Sequence, residues 1–279
     1  MEDKTVTIIP NYPTPLFKMN AYSKISIITV TYNSAATLAG TIESVMKQDY
    51  PNIEYIIVDG NSSDGTVDII KSYAQNYPIK WISEPDRGLY DAMNKGIRMA
   101  TGHIVGIINS DDFYHRSDIV SYIANAFHND AIDCVYGDVR FVNPKDLGKT
   151  IRYYSGKPFH PSLFKFGFAP PHPTFFAKRV LFEKYGLYKS DFKISADFEL
   201  LVRFLFVNQL KYQYLEADIL KMRTGGISTR SFKSRLISNR EIVRACKENN
   251  IPSNLLMVYM RYFIKIFQLF VNKKKESPL

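Results

Sequence analysis

The chain has 279 residues, 46% hydrophobic and 14% aromatic, which is enough to bury a full core and excludes a disordered protein. Its two cysteines, Cys134 and Cys246, lie far apart and match no metal-ligand or redox spacing, so no disulfide is expected and a reducing compartment is the default. The net charge of +9 leaves nucleic acid, an anionic membrane or an anionic substrate as partner classes, to be separated by where the charge lies.

Residues 1–23 read as an N-terminal extension. Met1 to Asn20 contains Glu2, Asp3, Asn11 and three prolines and lacks the long apolar core of a signal peptide, which places the catalytic part in the cytoplasm. Strand and helix signals then alternate. Ile25 to Thr31 is a β-branched run, followed by Tyr32-Asn33-Ser34 and a helix with Leu38, Ile42, Val45 and Met46 on one face. Glu54 to Val58 is the second strand, ending in Asp59-Gly60, and Asp64 or Ser63 is the expected N-cap of the next helix. Ile79 to Ser83 is a third strand, carrying Trp81 as core filling, and Gly88 to Ala100 is a helix. This alternation implies right-handed crossovers and a mostly parallel sheet flanked by helices.

The fourth strand, Ile104 to Ile108, delivers Asn109-Ser110-Asp111-Asp112 at its C-terminal end, where open α/β sheets bind ligands. If the strand continued through the two acids, their side chains would point opposite ways. One reading is a divalent ion held by one or two carboxylates, with substrate phosphates completing its shell. The other is a turn that caps a helix starting near Ser117. Polar residues also end the earlier strands: Tyr32 and Asn33, Asp59, then Glu84 and Asp86. Gly60-x4-Gly65-Thr66 lacks the lysine of a phosphate loop, and no Gly-x-Gly-x-x-Gly follows the first strand, which weakens ATPase and dinucleotide-dehydrogenase readings.

Four stretches together carry a resemblance: Ile-Thr-Val-Thr-Tyr-Asn at the first strand, Val-Asp-Gly-x-Ser-x-Asp-Gly-Thr at the second, Asp-x-Gly-x-Tyr-Asp-Ala-Met-Asn-Lys-Gly from Asp86 to Gly96, and Ile-Asn-Ser-Asp-Asp at the fourth. In this order they resemble the family 2 glycosyltransferases of GT-A fold, over roughly residues 24–230. The resemblance implies an α/β, Rossmann-like fold and an inverting enzyme that takes a sugar from a nucleoside diphosphate, usually UDP. By the same resemblance Tyr32 and Asp59 would meet the nucleobase, Asp111 the ribose or the metal, and Asp112 the Mn²⁺ or Mg²⁺ that bridges the diphosphate. Thr31, Asn33, Asp91, Lys95, Asn109 and Ser110 complete the implied nucleotide-sugar contacts; Asn109 departs from the Asp that many relatives carry.

In the second half, Cys134 to Val142 reads as a strand, and Pro170 to Phe176 leads into another before a helix near Lys178. Ala196-Asp197-Phe198-Glu199-Leu200 opens a further helix and is similar to the family's acidic motif. Asp197 then stands as the general base that deprotonates the acceptor hydroxyl, although an acid in the first turn of a helix is favoured by the macrodipole alone. His172, between prolines, is a weaker candidate for the acceptor or diphosphate. Arg223, before Gly225-Gly226, would reach phosphate from a glycine-paired lid. A metal-held phosphate leaving group needs no general acid, which favours transfer over glycoside hydrolysis.

From Thr229 onward eleven Lys or Arg stand against three Glu, so nearly all the net charge lies in residues 231–279, read as a basic helical C-terminal region. Leu255 to Val271 is apolar apart from Arg261, Lys265 and Gln268, which with Asn272 form one narrow helical stripe, and Lys273-Lys274-Lys275 follows. This pattern suits an anionic membrane surface on the inner face of the cytoplasmic membrane, against the plainer reading of packing on the catalytic domain or in a homo-oligomer. Nucleic acid is disfavoured because the basic residues accompany a large apolar face. The expectation is a UDP-sugar-dependent hexosyl- or N-acetylhexosaminyltransferase acting on a saccharide acceptor, lipid-linked, in bacterial O-antigen, capsule or exopolysaccharide synthesis. A nucleotidyltransferase on a related fold and a membrane-associated sugar-nucleotide-binding scaffold are the alternatives.

Overall fold

The computed structural model describes residues 23–224 and 232–261. Its first half alternates β1 (Ile25–Thr31), α1 (Leu38–Met46), β2 (Ile53–Asp59), α2 (Thr66–Ala74), β3 (Ile79–Ser83), α3 (Leu89–Met99) and β4 (Ile104–Asn109). These four strands are parallel, in the order β3-β2-β1-β4. Helices cover both faces, so β1 is buried at every position rather than at every second one. Ile28 and Val30 meet Tyr90, Met93 and Ile97 of α3, while Ile25 and Ile27 meet Leu38, Ile42 and Val45 of α1 on the other face.

Beyond β4 the sheet turns mixed. The chain adds β5 (Asp112–Phe113), α4 (Ile119–Ala126), β6 (Cys134–Asn143), β7 (Asp146–Tyr154), β8 (Phe176–Lys178), α5 (Arg179–Tyr185), α6 (Ala196–Val202), β9 (Tyr212–Arg223) and α7 (Phe232–Glu248). The order runs on as β4-β8-β6-β9-β5, with β7 beside β6. Only β6 and β9 pair in parallel here; β8 runs antiparallel to both β4 and β6. A Cβ added at Gly106 would fall 2.0 Å from the Phe176 ring, so the glycine of β4 is what lets β8 close against it.

Three local outcomes differ from the sequence reading. β4 stops at Asn109, Ser110 and Asp111 form a turn, and Asp112 opens β5, so the two acids are not neighbours on one strand. The N-cap of α4 is Asp118, which leaves neither Asp111 nor Asp112 with a capping role. Gly65, with φ of 92°, caps α2, while Asp64 instead accepts from the Ala35 amide (3.0 Å) and from Thr66, tying the β2–α2 loop to the β1–α1 loop.

Helix α7 packs on α6 through Ile242, Ala245 and Cys246. A short helix over 255–261 follows, where Val258 is buried and Arg261 donates to the Gly167 carbonyl (3.0 Å) and to Asn239 Oδ1. The paired glycines Gly225 and Gly226, most of the N-terminal extension, and the stripe from Lys265 to Lys275 lie outside the described residues. Among the described residues no helix is long and apolar enough to cross a membrane.

Candidate active site

Strand register assembles one edge. Parallel pairing sets Thr31 beside Asp59, Asp59 beside Ser83, and Val30 beside Asn109, so the polar strand ends lie in a row at the C-terminal edge of the sheet. Because β8 is antiparallel to β4 and Phe176 pairs Gly106, the His172–Thr174 turn that precedes β8 reaches the same edge. The row is fixed by hydrogen bonds between loops. Asp59 is buried and accepts from the Ser62 amide (2.9 Å), the Ser62 hydroxyl and the Ser83 hydroxyl (2.6 Å). Asn33, in the left-handed region at φ 49°, donates its amide to Ser62 Oγ and accepts from the Ser63 amide. Tyr32 stands 65% exposed next to this anchored loop, and a Cβ at Gly60 would fall 2.6 Å from Asp86 Oδ2 and 3.4 Å from the Tyr32 ring. The exposed Tyr32 ring and the anchored Asp59 carboxylate thus lie at the ends of neighbouring strands.

The acidic turn lies at the end of β4. Asp112 has no exposed surface; Asn109 Nδ2 donates to its Oδ2 at 2.9 Å, and its Oδ1 has no hydrogen-bond partner. Thr41 of α1 donates to the backbone carbonyls of Ser110 (3.0 Å) and Asp112 (2.7 Å), and Ser110 Oγ donates to Ser34 Oγ (2.9 Å). Asp111 is only half-buried. Arg223, the last residue of β9, donates to the Asp111 carbonyl and lies over the Phe113 ring at 5.0 Å. Burial raises both carboxylates above their ordinary range; Asp112 is raised further by the neighbouring Asp111, while Asn109 and Arg223 pull it back. Thr31 Oγ1 is a second buried oxygen without a partner at this edge.

In the third motif, the two residues expected to contact the nucleotide sugar have partners within the protein. Asp91 is buried and occupied by Arg87, whose backbone amide and guanidinium donate to it at 3.1 and 3.2 Å. Lys95 donates to the Pro85 carbonyl (2.8 Å) and pairs with Glu84 (2.9 Å). Both hold the turn that carries Asp86 rather than presenting free groups. Asn94 exchanges two hydrogen bonds with the backbone of Tyr188. Tyr90, in the same motif but given no role by it, points its hydroxyl at the Ile194 carbonyl and at Asp197 Oδ1, 3.2 Å away. His172 Nε2 lies 2.6 Å from the Tyr188 hydroxyl, and the Tyr90 and Tyr188 rings stack at 5.8 Å. Asp197 and His172 are thus brought to one cluster although they are far apart in sequence. Burial lowers the His172 pKa despite the attraction of Asp197, so the imidazole stays neutral near pH 7.

The sheet order and the edge it builds are those of a GT-A fold. Residues 26–186 match the sequence model of glycosyl transferase family 2, and the chain belongs to that family. It is 28% identical over 246 residues to a PGL/p-HBAD biosynthesis glycosyltransferase of Mycobacterium bovis, covering 86% of this chain and 91% of the relative. An uncharacterized glycosyltransferase of Mycobacterium tuberculosis is 32% identical over 195 residues, covering 66% of this chain and 70% of the relative. Among solved structures, Staphylococcus aureus TarS 1-349 in complex with UDP superposes with a TM-score of 0.59 at 19% identity, over 82% of this chain and 67% of that one. The mannosyltransferase PcManGT of Pyrobaculum calidifontis, in complex with GDP-Man and Mn²⁺, gives 0.57 at 20% identity over 81% of this chain, which spans 64% of that protein, under two thirds of its length.

Proposed function

We propose that this chain is an inverting glycosyltransferase that moves a hexose or N-acetylhexosamine from a UDP-sugar to a hydroxyl of a lipid-linked saccharide in bacterial surface-polysaccharide synthesis. The observation that carries the reading is the single sheet edge on which Asp59 and the open Tyr32 face, the acidic turn Asp111-Asp112, and the Asp197–His172 cluster follow one another. Tyr32 stacks on the nucleobase, Asp59 accepts from its N–H, and Asn33, Thr31 and Ser110 border the nucleoside. Arg223 keeps the acidic turn in place and lends positive charge beside the diphosphate. Structures similar to the chain are described with UDP, UDP-GlcNAc and GDP-Man.

The residues present fit a divalent cation. Asp112 Oδ1 lacks a donor, Asp111 beside it is partly open, and burial raises both carboxylates, so the pair favours a positive charge. Among the described residues no cluster of three His, Cys, Asp or Glu surrounds such an ion, and diphosphate oxygens and water would complete its shell. Mn²⁺ or Mg²⁺ held there would neutralise charge on the departing diphosphate. Asp197 takes the proton of the acceptor hydroxyl as its oxygen attacks the anomeric carbon from the face opposite the diphosphate. The bond from that carbon to phosphate oxygen breaks, UDP leaves, and an α-linked donor gives a β-linked product. Neutral His172 orients the acceptor beside the base.

Seating on an anionic membrane is supported by the helix at 255–261. Leu255, Leu256, Tyr259 and Met260 are exposed on one side of it, Leu256 at 74%, and the basic excess of the C-terminal sequence accompanies them. The test is incubation with UDP-hexoses and UDP-N-acetylhexosamines, Mn²⁺ and saccharide acceptors, followed by NMR of the anomeric product. A β-linked product formed by wild type and lost in Asp197→Asn supports the reading; a retained α-configuration, or turnover only of nucleoside triphosphates, overturns it.

A further inference from the structure

The segment Lys193–Asp197, which delivers the carboxylate assigned above as base, is gripped by two elements distant in sequence. From α7, the Glu241 carboxylate accepts three backbone amides in a row: Lys193 (2.7 Å), Ile194 (2.9 Å) and Ser195 (2.9 Å). Ser195 Oγ also lies 3.0 Å from Ser238 Oγ of the same helix. From α3, the Tyr90 hydroxyl shares its proton between the Ile194 carbonyl and Asp197 Oδ1 at 3.2 Å. Ser195, at the N-cap of α6, makes no side-chain capping bond of its own.

This arrangement has a consequence for reactivity. α6 is only seven residues long and is preceded by irregular chain, so its own hydrogen bonds do not fix where its first turn points. A base displaced by about 1 Å loses on the order of a hundredfold in rate. The Tyr90 phenol is buried and lies beside a carboxylate, both of which hold its proton on, so it acts as a donor. Tyr90 engages one oxygen of Asp197, and a base needs only the other.

Resting on Asp197 as base, we infer that Tyr90 and Glu241 are positioning residues for the transfer step, a two-sided clamp that aims the Asp197 carboxylate at the acceptor hydroxyl. α7, past the end of the matched family region, is then part of the catalytic apparatus. The test compares Tyr90→Phe, Glu241→Gln and Asp197→Asn in the full chain for kcat, the two KM values and melting temperature. Tyr90→Phe keeps the ring stacked on Tyr188 and removes only the hydroxyl, so it decides even where Glu241→Gln fails to fold. The expected result is a kcat lowered about tenfold in Tyr90→Phe with donor and acceptor KM within about twofold of wild type. A wild-type kcat, or a loss confined to KM, overturns the clamp. An active Asp197→Asn overturns the base assignment itself, whereas an inactive Asp197→Asn with wild-type Tyr90→Phe removes the clamp alone.

Discussion

Glu54 sits at the opposite end of the sheet from the site and offers a stability perturbation separable from activity. It is the second residue of β2, is buried, and accepts from Ser26 Oγ (2.5 Å), Lys80 Nζ (2.5 Å), the Thr101 amide (2.7 Å) and the Thr101 hydroxyl (2.7 Å). One carboxylate thereby joins β1, β3 and the loop entering β4. Burial alone would raise its pKa, but the bonds from Lys80, Ser26 and Thr101 outweigh it and bring the value from 4.5 down to about 2. At 1.36 kcal/mol for each pH unit, that displacement is about 3 kcal/mol of native-state stability. The folded value is the lower one, so this contribution is complete above the unfolded value and fades as pH falls from about 5 toward 2. Urea denaturation of wild type and Glu54→Gln at pH 7 and pH 3 is the assay, with the midpoint read at constant slope. Glu54→Gln is expected to be less stable by about 3 kcal/mol at pH 7, to close much of that gap at pH 3, and to keep wild-type turnover when folded. A gap of equal size at both pH values would refute the argument from the carboxylate's charge.

At the site, Asp59→Asn takes the charge away from the nucleobase and unbalances the Ser62 and Ser83 anchors, so donor affinity should fall about tenfold or more in calorimetric titration with UDP. Tyr32→Ala should leave the melting temperature nearly unchanged because the ring is exposed, yet raise the UDP dissociation constant by about three- to tenfold through lost stacking. Treatment with EDTA should abolish transfer and Mn²⁺ should restore it, while Asp111→Asn should need a higher Mn²⁺ concentration for half-maximal rate. Leu256→Glu with Met260→Glu should cut flotation with vesicles containing anionic lipid by more than tenfold without reducing transfer to a soluble acceptor.

The first four strands were legible because each is a short stretch rich in Ile or Val closed by polar residues, and β1 and β3 have the bounds that the pattern drew. β7 and β5 were not. All but the last residue of β7 are exposed and its sequence alternates in no useful way, and β5 is two residues long, so both exist through pairing partners distant in sequence. The acidic pair was found, but its geometry was hidden: alternation along a strand assumes that the strand continues, and β4 ends two residues before Asp111. Tyr90 lies inside the Asp86–Gly96 motif, yet its partner is 107 positions away, and no local spacing reports a contact of that kind. Glu241 carried even less signal, since a lone glutamate among basic residues reads as helix surface.

Of the polar stripe Arg261, Lys265, Gln268 and Asn272, only Arg261 lies among the described residues. Arg261 turns inward to the Gly167 carbonyl and Asn239, and Leu255, Leu256, Tyr259 and Met260 face out. For two of the guanidinium nitrogens a backbone carbonyl and an amide oxygen replace water. An exposed apolar face of this kind supports the seating on a lipid surface proposed above. Arg261 is held at the loop that leads, five residues on, to His172, which ties the seat of the apolar face to the acceptor side of the site. A lipid-linked acceptor would then be presented beside Asp197 by the same surface that holds its anchor.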